Sequence, residues 1–196
     1  SPNLKISKVT ENLYKAIAKQ IAGFVKKFPK RRRLDQWLIY FMGLVGALTL
    51  EQMQAVMHRL GLRQGEQKRV VSYYRERQRI VAVLSKKQVC PEQIYALLEP
   101  LSYETLILFN ATFTDKHSKK YLADFLNIYN GLRLGVSGQD LEKLGVLPGP
   151  QYQRILAEVL AAKLNGRLKN RSAELALMSR LAQVDKKRNG DNNVQA

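Results

Sequence analysis

Hydrophobic side chains recur along the chain at spacings of three and four residues, which is the pattern of amphipathic α-helices. The first clear example covers residues 13–28 and stops at Pro29, because a proline interrupts the helical hydrogen bonds. A denser apolar run over residues 34–48 predicts a helix that is buried on most sides. Thr49 and Gln52 have the spacing of a capping box, which predicts the start of a third helix.

The same periodicity continues through the rest of the chain. It predicts further helices over residues 70–84, 91–99, 102–109, 121–129, 141–144, 150–164 and 172–184. No stretch of four or more residues alternates cleanly between apolar and polar positions, as a half-buried strand would. The sequence therefore predicts an all-α fold, a multi-helix array of about eight to ten helices with no sheet.

A polar stretch at residues 85–88 is the best candidate for a domain boundary. We predict a basic helical subdomain over residues 1–87 and a second helical subdomain, with a Gly/Pro helix hairpin, over residues 88–185. Residues 186–196 are predicted to form a frayed polar tail. The chain begins Ser1-Pro2-Asn3 without an initiator methionine, which favours a processed chain or a fragment of a longer one.

Composition narrows the class of protein. The 196 residues include 33 Lys and Arg against 16 Asp and Glu, for a formal net charge of +17, and this excess favours a polyanion as partner. The longest apolar run, residues 37–42, is far shorter than the ~18–20 residues of a bilayer-spanning helix. A single cysteine excludes an internal disulfide framework and fits a reducing compartment. We therefore expect a cytoplasmic protein with no membrane partner.

Basic residues are concentrated on two of the predicted helices. At about 100° per residue, the helix over residues 13–28 and the one around residues 70–84 each place a set of cations within roughly 40° of one another, opposite the apolar residues. A basic cluster also follows the first helix. The cations of these two stripes and the cluster are Lys15, Lys19, Lys26, Lys27, Lys30, Arg31, Arg32, Arg33, Lys68, Arg75, Arg79 and Lys86. Arg77 points with the apolar residues instead, so it either snorkels to solvent or pairs with a buried partner.

Three interpretations of the stripes are open. An amphipathic helix commonly has a solvated charged face, but such a face usually mixes signs, because like charges four residues apart repel. A basic amphipathic helix can also lie on an anionic membrane, although here the apolar faces are needed for the core. Contact with the phosphates of a nucleic acid explains the single-sign stripes best, and we expect such binding to be salt-dependent and largely blind to sequence.

A Gly/Pro turn joins two predicted helices within residues 140–156. The second helix begins near Pro150, so its first backbone amides are free to bind a phosphate. Gly149 lies in the turn, and Arg154 and Lys163 are placed to reinforce such a site. The turn departs from the usual hydrophobic–Gly–hydrophobic pattern of a helix-hairpin-helix motif. The segment therefore fits either an imperfect motif of this kind or a plain tight turn between two helices.

The sequence contains no complete active site. His58 and His117 are far apart and have no neighbours at metal-ligand spacing, so a zinc site is not expected. Phosphate-binding-loop, dinucleotide-binding and nucleophile-elbow motifs are missing. Asp140 and Glu142 are the only acidic pair two residues apart, and we interpret Asp140 as a first-turn charge that complements the dipole of a short helix.

A series of short motifs in the second half of the chain resembles a known family. Gly138-Gln-Asp140-Leu141 is followed by Pro148-Gly149-Pro150 and then by Ile155-Leu156. The C-terminal helical region of bacterial class II tRNA nucleotidyltransferases and poly(A) polymerases carries a similar G-x-D-L, P-G-P and I-L series. Upstream, residues 37–41 and 94–98 resemble a subset of that family that includes A-adding enzymes.

The likeness covers residues 34–181. In that family a catalytic head carries the Gly-Ser motif, the metal-binding Asp-x-Asp and the nucleotide-selecting residues, and this sequence has none of them. The resemblance implies an RNA-binding body and tail, whose partners are tRNA or another structured RNA and the catalytic head of the same parent chain. Mg²⁺ and ATP are expected for that head, and the choice among A, CCA and poly(A) addition lies there too. No catalytic residue and no activity are expected of this chain alone.

We therefore interpret the chain as the RNA-binding part of a tRNA nucleotidyltransferase that positions tRNA for nucleotide addition at its 3′ end. Recognition by phosphates and shape needs no base-reading residues. Two alternatives stay open, namely a stand-alone helix-hairpin-helix DNA-binding module and a helical protein-interaction domain whose charge serves solubility.

Overall fold

The computed structural model describes residues 8–31 and 33–192, with side chains described as far as residue 185. Within those residues the chain forms ten α-helices and one π-helical turn and contains no strand, which confirms the predicted all-α fold. The helices are α1 (Lys8–Lys27), α2 (Gln36–Val45), α3 (Leu50–Arg59), α4 (Gln64–Leu84), α5 (Pro91–Leu98), α6 (Tyr103–Thr112), α7 (Lys116–Asp124), α8 (Gly138–Lys143), α9 (Pro150–Leu164) and α10 (Arg171–Asn192), and the π-helical turn is Phe125–Tyr129.

The chain divides into two compact units. Unit 1 comprises residues 1–89 and 96–125, and unit 2 comprises residues 90–95 and 126–196. This grouping differs from a division in chain order at residue 87, because α6 packs against α1, α2 and α4, all of which precede it by far in the sequence. That residues 1–87 and 88–185 fold as separate subdomains stays a prediction.

Helix α6 lies at the centre of unit 1. Every residue from Glu104 to Phe109 is buried, so this helix has no solvent-facing side over that stretch. From α1, Phe24 packs on the ring of Tyr103 with centroids 5.2 Å apart, and Ile17 and Ile21 are buried beside it in the same row of helix positions. Full burial of one such aliphatic side chain contributes about 1.5–3 kcal/mol, so this apolar packing is the main force that holds α1 in place.

A buried carboxylate connects three elements of unit 1. Glu104 is fully buried, and its Oε1 accepts a hydrogen bond from the backbone amide of Asp35 at 3.1 Å. The guanidinium of Arg69 on α4 lies 3.3 Å from the same oxygen and 2.6 Å from the carboxylate of Asp35. Because an unpaired buried charge costs several kcal/mol, these contacts fix the residue before α2 against both α4 and α6.

Unit 2 has its own apolar core, formed by α8, α9, α10 and the segments between them. Its buried members are Val136, Leu141, Val146, Ile155, Val159, Met178 and Ala182. A second buried carboxylate, that of Glu174 on α10, accepts hydrogen bonds from the backbone amide of Gly135 at 2.6 Å and from Nζ of Lys163 at 2.7 Å. Gly135 is tightly enclosed there, since a Cβ atom on it would lie 3.3 Å from that carboxylate.

Local sequence signals predict the start of α3 correctly but place the end of α10 too early. The capping box is confirmed, with Thr49 Oγ1 and Gln52 Oε1 each accepting the backbone amide of the other residue. The last helix, however, continues to Asn192, so residues 186–192 are helical, and the fraying of the tail stays a prediction. Lys186, Lys187 and Arg188 have good helix propensity, whereas the four residues after them do not. Residues 193–196 lie outside the described part of the chain.

Candidate nucleic-acid interface

Helix α1 exposes basic residues opposite its buried face. Lys19, Lys26 and Lys27 are exposed, whereas Ile17 and Ile21 on the other side are buried. The helix packs against α2 and α6, which accounts for the buried face. The cations of this helix are therefore available to an anionic partner.

Lys15, predicted in the same stripe, has an acidic partner. Its Nζ lies 2.6 Å from Oε1 of Glu11, one turn earlier on α1, and both side chains are largely exposed. Glu11 lies in the first turn of α1, outside the predicted stripe. Because exposed pairs of this kind contribute at most about 1 kcal/mol, a phosphate can replace Glu11 at little cost.

Arg31 has a structural role that its sequence context does not reveal. Its Nη1 donates a hydrogen bond to the hydroxyl of Tyr103 at 2.5 Å. The guanidinium also lies over the rings of Phe28 and Tyr103, at 5.7 Å and 5.5 Å from their centroids. These contacts attach the end of α1 to the start of α6. If Arg31 also binds a phosphate, as predicted, it must do so while it keeps its contacts with Phe28 and Tyr103.

The rest of the basic cluster leads towards α4. Lys30 and Arg33 are exposed, and Arg32, which was predicted with them, lies outside the described residues. Two residues after Arg33, the carboxylate of Asp35 binds Arg69 of α4 at 2.6 Å. Since two residues of extended chain span at most about 7 Å, the cluster ends next to the first half of α4, where the second stripe begins.

Helix α4 carries the second stripe as predicted from its periodicity. Lys68, Arg75 and Arg79 lie on α4 and are exposed, and Lys86, predicted on the same helix, is exposed two residues beyond its end. Arg79 lies 3.5 Å from the carboxylate of Glu76, and a shallow groove of about 500 Å³ runs along the helix beside Lys68 and Arg75. The two helices thus present cations that the apolar core does not use, which is the arrangement that phosphate binding requires.

Arg77, the cation that the helical pattern placed among apolar residues, pairs with a backbone carbonyl. Its Nη1 donates to the carbonyl oxygen of Gly46 at 2.5 Å, and its guanidinium lies 4.7 Å from the ring centroid of Tyr74. Gly46 is the C-cap of α2, so Arg77 satisfies a carbonyl that the end of a helix leaves open. The second of the two interpretations given above, pairing rather than snorkelling, is confirmed.

The helix hairpin of unit 2 is present, with α8 and α9 joined by residues 144–149. Gly149 is the N-cap of α9 and has an extended backbone, and Pro150 occupies the first turn. The side-chain amide of Gln151 donates to the carbonyl of Leu147 at 2.6 Å, and the hydroxyl of Tyr152 donates to the carbonyl of Val146 at 3.0 Å. The turn is therefore held by its own side chains, in the manner of a tight turn between two helices.

The two cations predicted beside the hairpin both bind buried acids of α10. Arg154 forms an ion pair with Asp185, and Lys163 pairs with Glu174 at 2.7 Å. Nζ of Lys163 also donates to the carbonyl of Arg133 at 2.7 Å. Their positive charges are thus offset within unit 2, because the two acids would otherwise be buried without partners. A contact of Gly149, Arg154 or Lys163 with phosphate stays a prediction.

Asp140 lies in the first turn of α8, as interpreted from the sequence, and its side chain also takes part in a capping box with Ser137. Its Oδ2 accepts a hydrogen bond from the backbone amide of Ser137 at 2.8 Å, and its Oδ1 lies 2.7 Å from a guanidinium nitrogen of Arg171. The hydrogen bond from the Ser137 amide is the larger cause, and the Arg171 charge a smaller one, of a pKa of Asp140 below its usual value of 3.8. The carboxylate is therefore a structural anion rather than an acid–base group.

We expect the variant Asp140→Asn to unfold at a lower urea concentration than the parent protein at pH 7. Because the pKa of Asp140 is lower in the folded than in the unfolded state, its stabilisation is complete above the unfolded value and is lost as the pH falls through the folded one. The difference in unfolding midpoint should therefore shrink as the pH falls below 3.8. Glu142→Gln, two residues away and exposed, is the matched control. A difference that stays constant down to pH 2 would contradict this assignment.

Sequence reasoning missed a further group of exposed cations on α7. Lys116, Lys119 and Lys120 are exposed, as is Lys87 at the end of α4. Three lysines within five residues at a helix start were a visible signal, but α7 lacks the long periodic stripe that drew attention to α1 and α4. The hydroxyl of Tyr121 on α7 bonds to the carbonyl of Lys87 at 2.8 Å, which brings these cations to the end of the second stripe.

The described residues also lack two other kinds of site. No group of three His, Cys, Asp or Glu side chains among them is placed to hold a metal ion. None of the helices in that part of the chain has the length and apolar character needed to cross a bilayer. The cationic surfaces of unit 1 are thus the main chemical feature of the described chain.

Comparison with known proteins identifies one curated relative and one solved structure. No protein-family model matches the chain. It is 27% identical over 155 residues to the A-adding tRNA nucleotidyltransferase of Geobacter sulfurreducens, a match that spans 76% of this chain and 18% of that protein. The chain thus accounts for less than a fifth of the length of this relative.

The fold matches that of a CCA-adding enzyme solved in complex with CTP. The TM-score is 0.70 at 19% sequence identity, and the match covers 92% of this chain and 42% of that one. At this identity the likeness concerns the fold alone. Taken with the curated relative, it confirms the resemblance predicted from the motifs: the chain is similar to the C-terminal helical region of tRNA nucleotidyltransferases.

Proposed function

We propose that this chain is the tRNA-binding part of a tRNA nucleotidyltransferase and that it holds tRNA while a catalytic head elsewhere in the parent protein extends the 3′ end. The name of the curated relative and the small share of that relative which the chain covers support a part of such an enzyme. Mg²⁺ and ATP would then be bound by the head. A cytoplasmic location accords with a tRNA partner.

The observation that carries this proposal is the pair of cationic helix faces in unit 1. Lys19 and Lys26 on α1 and Lys68 and Arg75 on α4 are exposed, and within the described residues none of them forms an ion pair. Cations that neither pair with acids nor pack in the core repel one another in the isolated protein, and a polyanionic partner best explains why so many share these two faces. The A-form helices of a folded RNA are recognised through phosphates, 2′-hydroxyls and shape, which such a surface can provide.

Binding to tRNA, measured by fluorescence anisotropy of a labelled transcript, should be tighter than binding to duplex DNA of equal length. The logarithm of the affinity should fall linearly with the logarithm of the salt concentration, with a slope of about 0.7–0.9 per phosphate contact. The chain incubated with ATP and Mg²⁺ should not extend the tRNA. A preference for the duplex would favour a hairpin DNA-binding module instead, and no binding to either nucleic acid would favour a protein-interaction domain.

A further inference from the structure

A groove of about 490 Å³ lies between α4 and the C-terminal end of α6 in unit 1. Its floor is formed by the buried rings of Phe109 and Phe113, which are stacked with centroids 5.5 Å apart, and by the half-buried ring of Tyr73, 5.0 Å from that of Phe109. Val81 contributes an exposed apolar side chain from α4, with 44% of its surface accessible. The volume falls in the range of about 300–1,000 Å³ that is typical of small-ligand sites.

Polar groups surround this aromatic lining. The exposed side chains of Gln78, Thr112 and Thr114 supply amide and hydroxyl groups that both donate and accept hydrogen bonds. The hydroxyl of Tyr73 is protonated at neutral pH and can donate a hydrogen bond. Two charged side chains, those of Arg77 and Asp115, also line the groove. Apolar surface beside hydrogen-bonding and charged groups suits a flat heterocycle with polar edges.

Five exposed lysines continue from the two elements that form the groove. Lys116, Lys119 and Lys120 belong to α7, which begins directly after two lining residues, Thr114 and Asp115. The other two follow the lining residue Ala82 by about one turn at the end of α4, and they are Lys86 and Lys87. None of the five forms an ion pair within the described residues.

A hydrogen bond holds the two groups of lysines together. The hydroxyl of Tyr121, on α7, donates to the carbonyl oxygen of Lys87 at 2.8 Å and lies 3.3 Å from that of Lys86. The end of α4 is thereby attached to α7, so the cations of both elements lie at the same end of the groove. This end therefore combines a concentration of positive charge with an adjoining apolar cavity.

We propose that the groove receives an unpaired base of a bound RNA while the five lysines contact the phosphates on either side of it. Proteins that bind single-stranded nucleic acid combine aromatic or apolar surfaces for bases with cations for the backbone. An apolar peptide would leave the lysines without partners, whereas a nucleotide segment uses both features. This inference rests on the proposed function and adds to it, because binding to paired RNA needs only the cationic stripes.

The test compares an RNA hairpin that has a short single-stranded 3′ extension with the same hairpin ending blunt. Val81→Gln places a polar side chain in the groove without changing the net charge. Val184→Gln, at a valine that is 52% exposed in unit 2, is the matched control. A 4-thiouridine in the extension provides a second readout, through photo-cross-linking to the protein.

The expected result is that Val81→Gln weakens binding of the extended hairpin by up to about tenfold, the scale of losing the burial of one valine side chain, and leaves the blunt hairpin unaffected. Val184→Gln should bind both RNAs like the parent protein, and the cross-link should map to residues 73–82 or 109–115. Equal affinity of the parent protein for the two hairpins, or equal effects of the two valine variants, would overturn the groove assignment alone. Failure of the parent protein to bind either RNA would instead overturn the proposed function, and the groove assignment with it.

Discussion

Affinity for tRNA is expected to fall by about a hundredfold or more when four exposed cations are replaced together by glutamate, namely Lys19, Lys26, Lys68 and Arg75. Each removed phosphate contact should also reduce the salt slope by about 1, so the plot of affinity against salt should become markedly flatter. Anisotropy titrations of labelled tRNA between 50 and 200 mM salt, roughly the range in which counterion release is large, measure both quantities.

The control for this variant changes the same number of charges elsewhere. It replaces with glutamate four other exposed cations that lie outside the two stripes, namely Arg59, Arg167, Lys169 and Arg180. Both variants then have the same net charge. If binding depends on the positions of the cations, the control should lose far less affinity than the first variant. Equal losses of affinity would mean that tRNA binding depends only on the overall charge of the protein. The interface described for α1 and α4 would then be wrong.

The largest loss of stability is expected from Arg69→Met, which should lower the free energy of unfolding by about 3–5 kcal/mol. The substitution keeps an aliphatic side chain but removes the guanidinium that lies 3.3 Å from the carboxylate of Glu104, which is fully buried. It also removes the pair with Asp35. Urea denaturation followed by circular dichroism measures the change, and Arg75→Met on the exposed side of the same helix is the control.

A second substitution distinguishes this cause from general damage to α4. Adding Glu104→Gln to Arg69→Met also removes the buried negative charge that Arg69 faced, so part of the lost stability should return. If Arg69→Met unfolds the protein completely, Arg69→Lys provides a milder change that keeps the charge and gives up the planar guanidinium. An Arg69→Met midpoint equal to that of Arg75→Met would show that Glu104 does not need its partner.

The parts of the fold that depend on near neighbours in the chain were predictable from the sequence. The capping box of Thr49 and Gln52 acts over three residues, and the amphipathic faces of α1 and α4 depend on spacing alone. The start of α4 shows the limit of this reasoning, since it lies at Gln64 rather than near residue 70. The backbone amide of Arg63 bonds to the Glu66 carboxylate at 2.7 Å and starts the helix earlier, although neither residue is apolar.

The roles of individual cations were much less predictable, because their partners are distant in sequence. Arg31 binds Tyr103, which lies 72 residues further along the chain. Arg154 and Lys163 were candidates for phosphate contact on the basis of their position beside a helix start, yet each pairs with a buried acid of α10. Nothing in the local sequence distinguishes such cations from the exposed ones of α4, since only the tertiary packing decides which acids are buried.

The central position of α6 has a consequence for how unit 1 is synthesised. Helix α1 ends at Lys27 and α6 begins at Tyr103, so about 76 residues must be translated before α1 meets its main packing partner. At a ribosomal rate of about 5–20 residues per second, this leaves an interval of roughly 4–15 s in which the apolar side of α1 has no central helix to cover it. The lysines of α1 give such nascent chains a positive charge, which opposes their association during that interval.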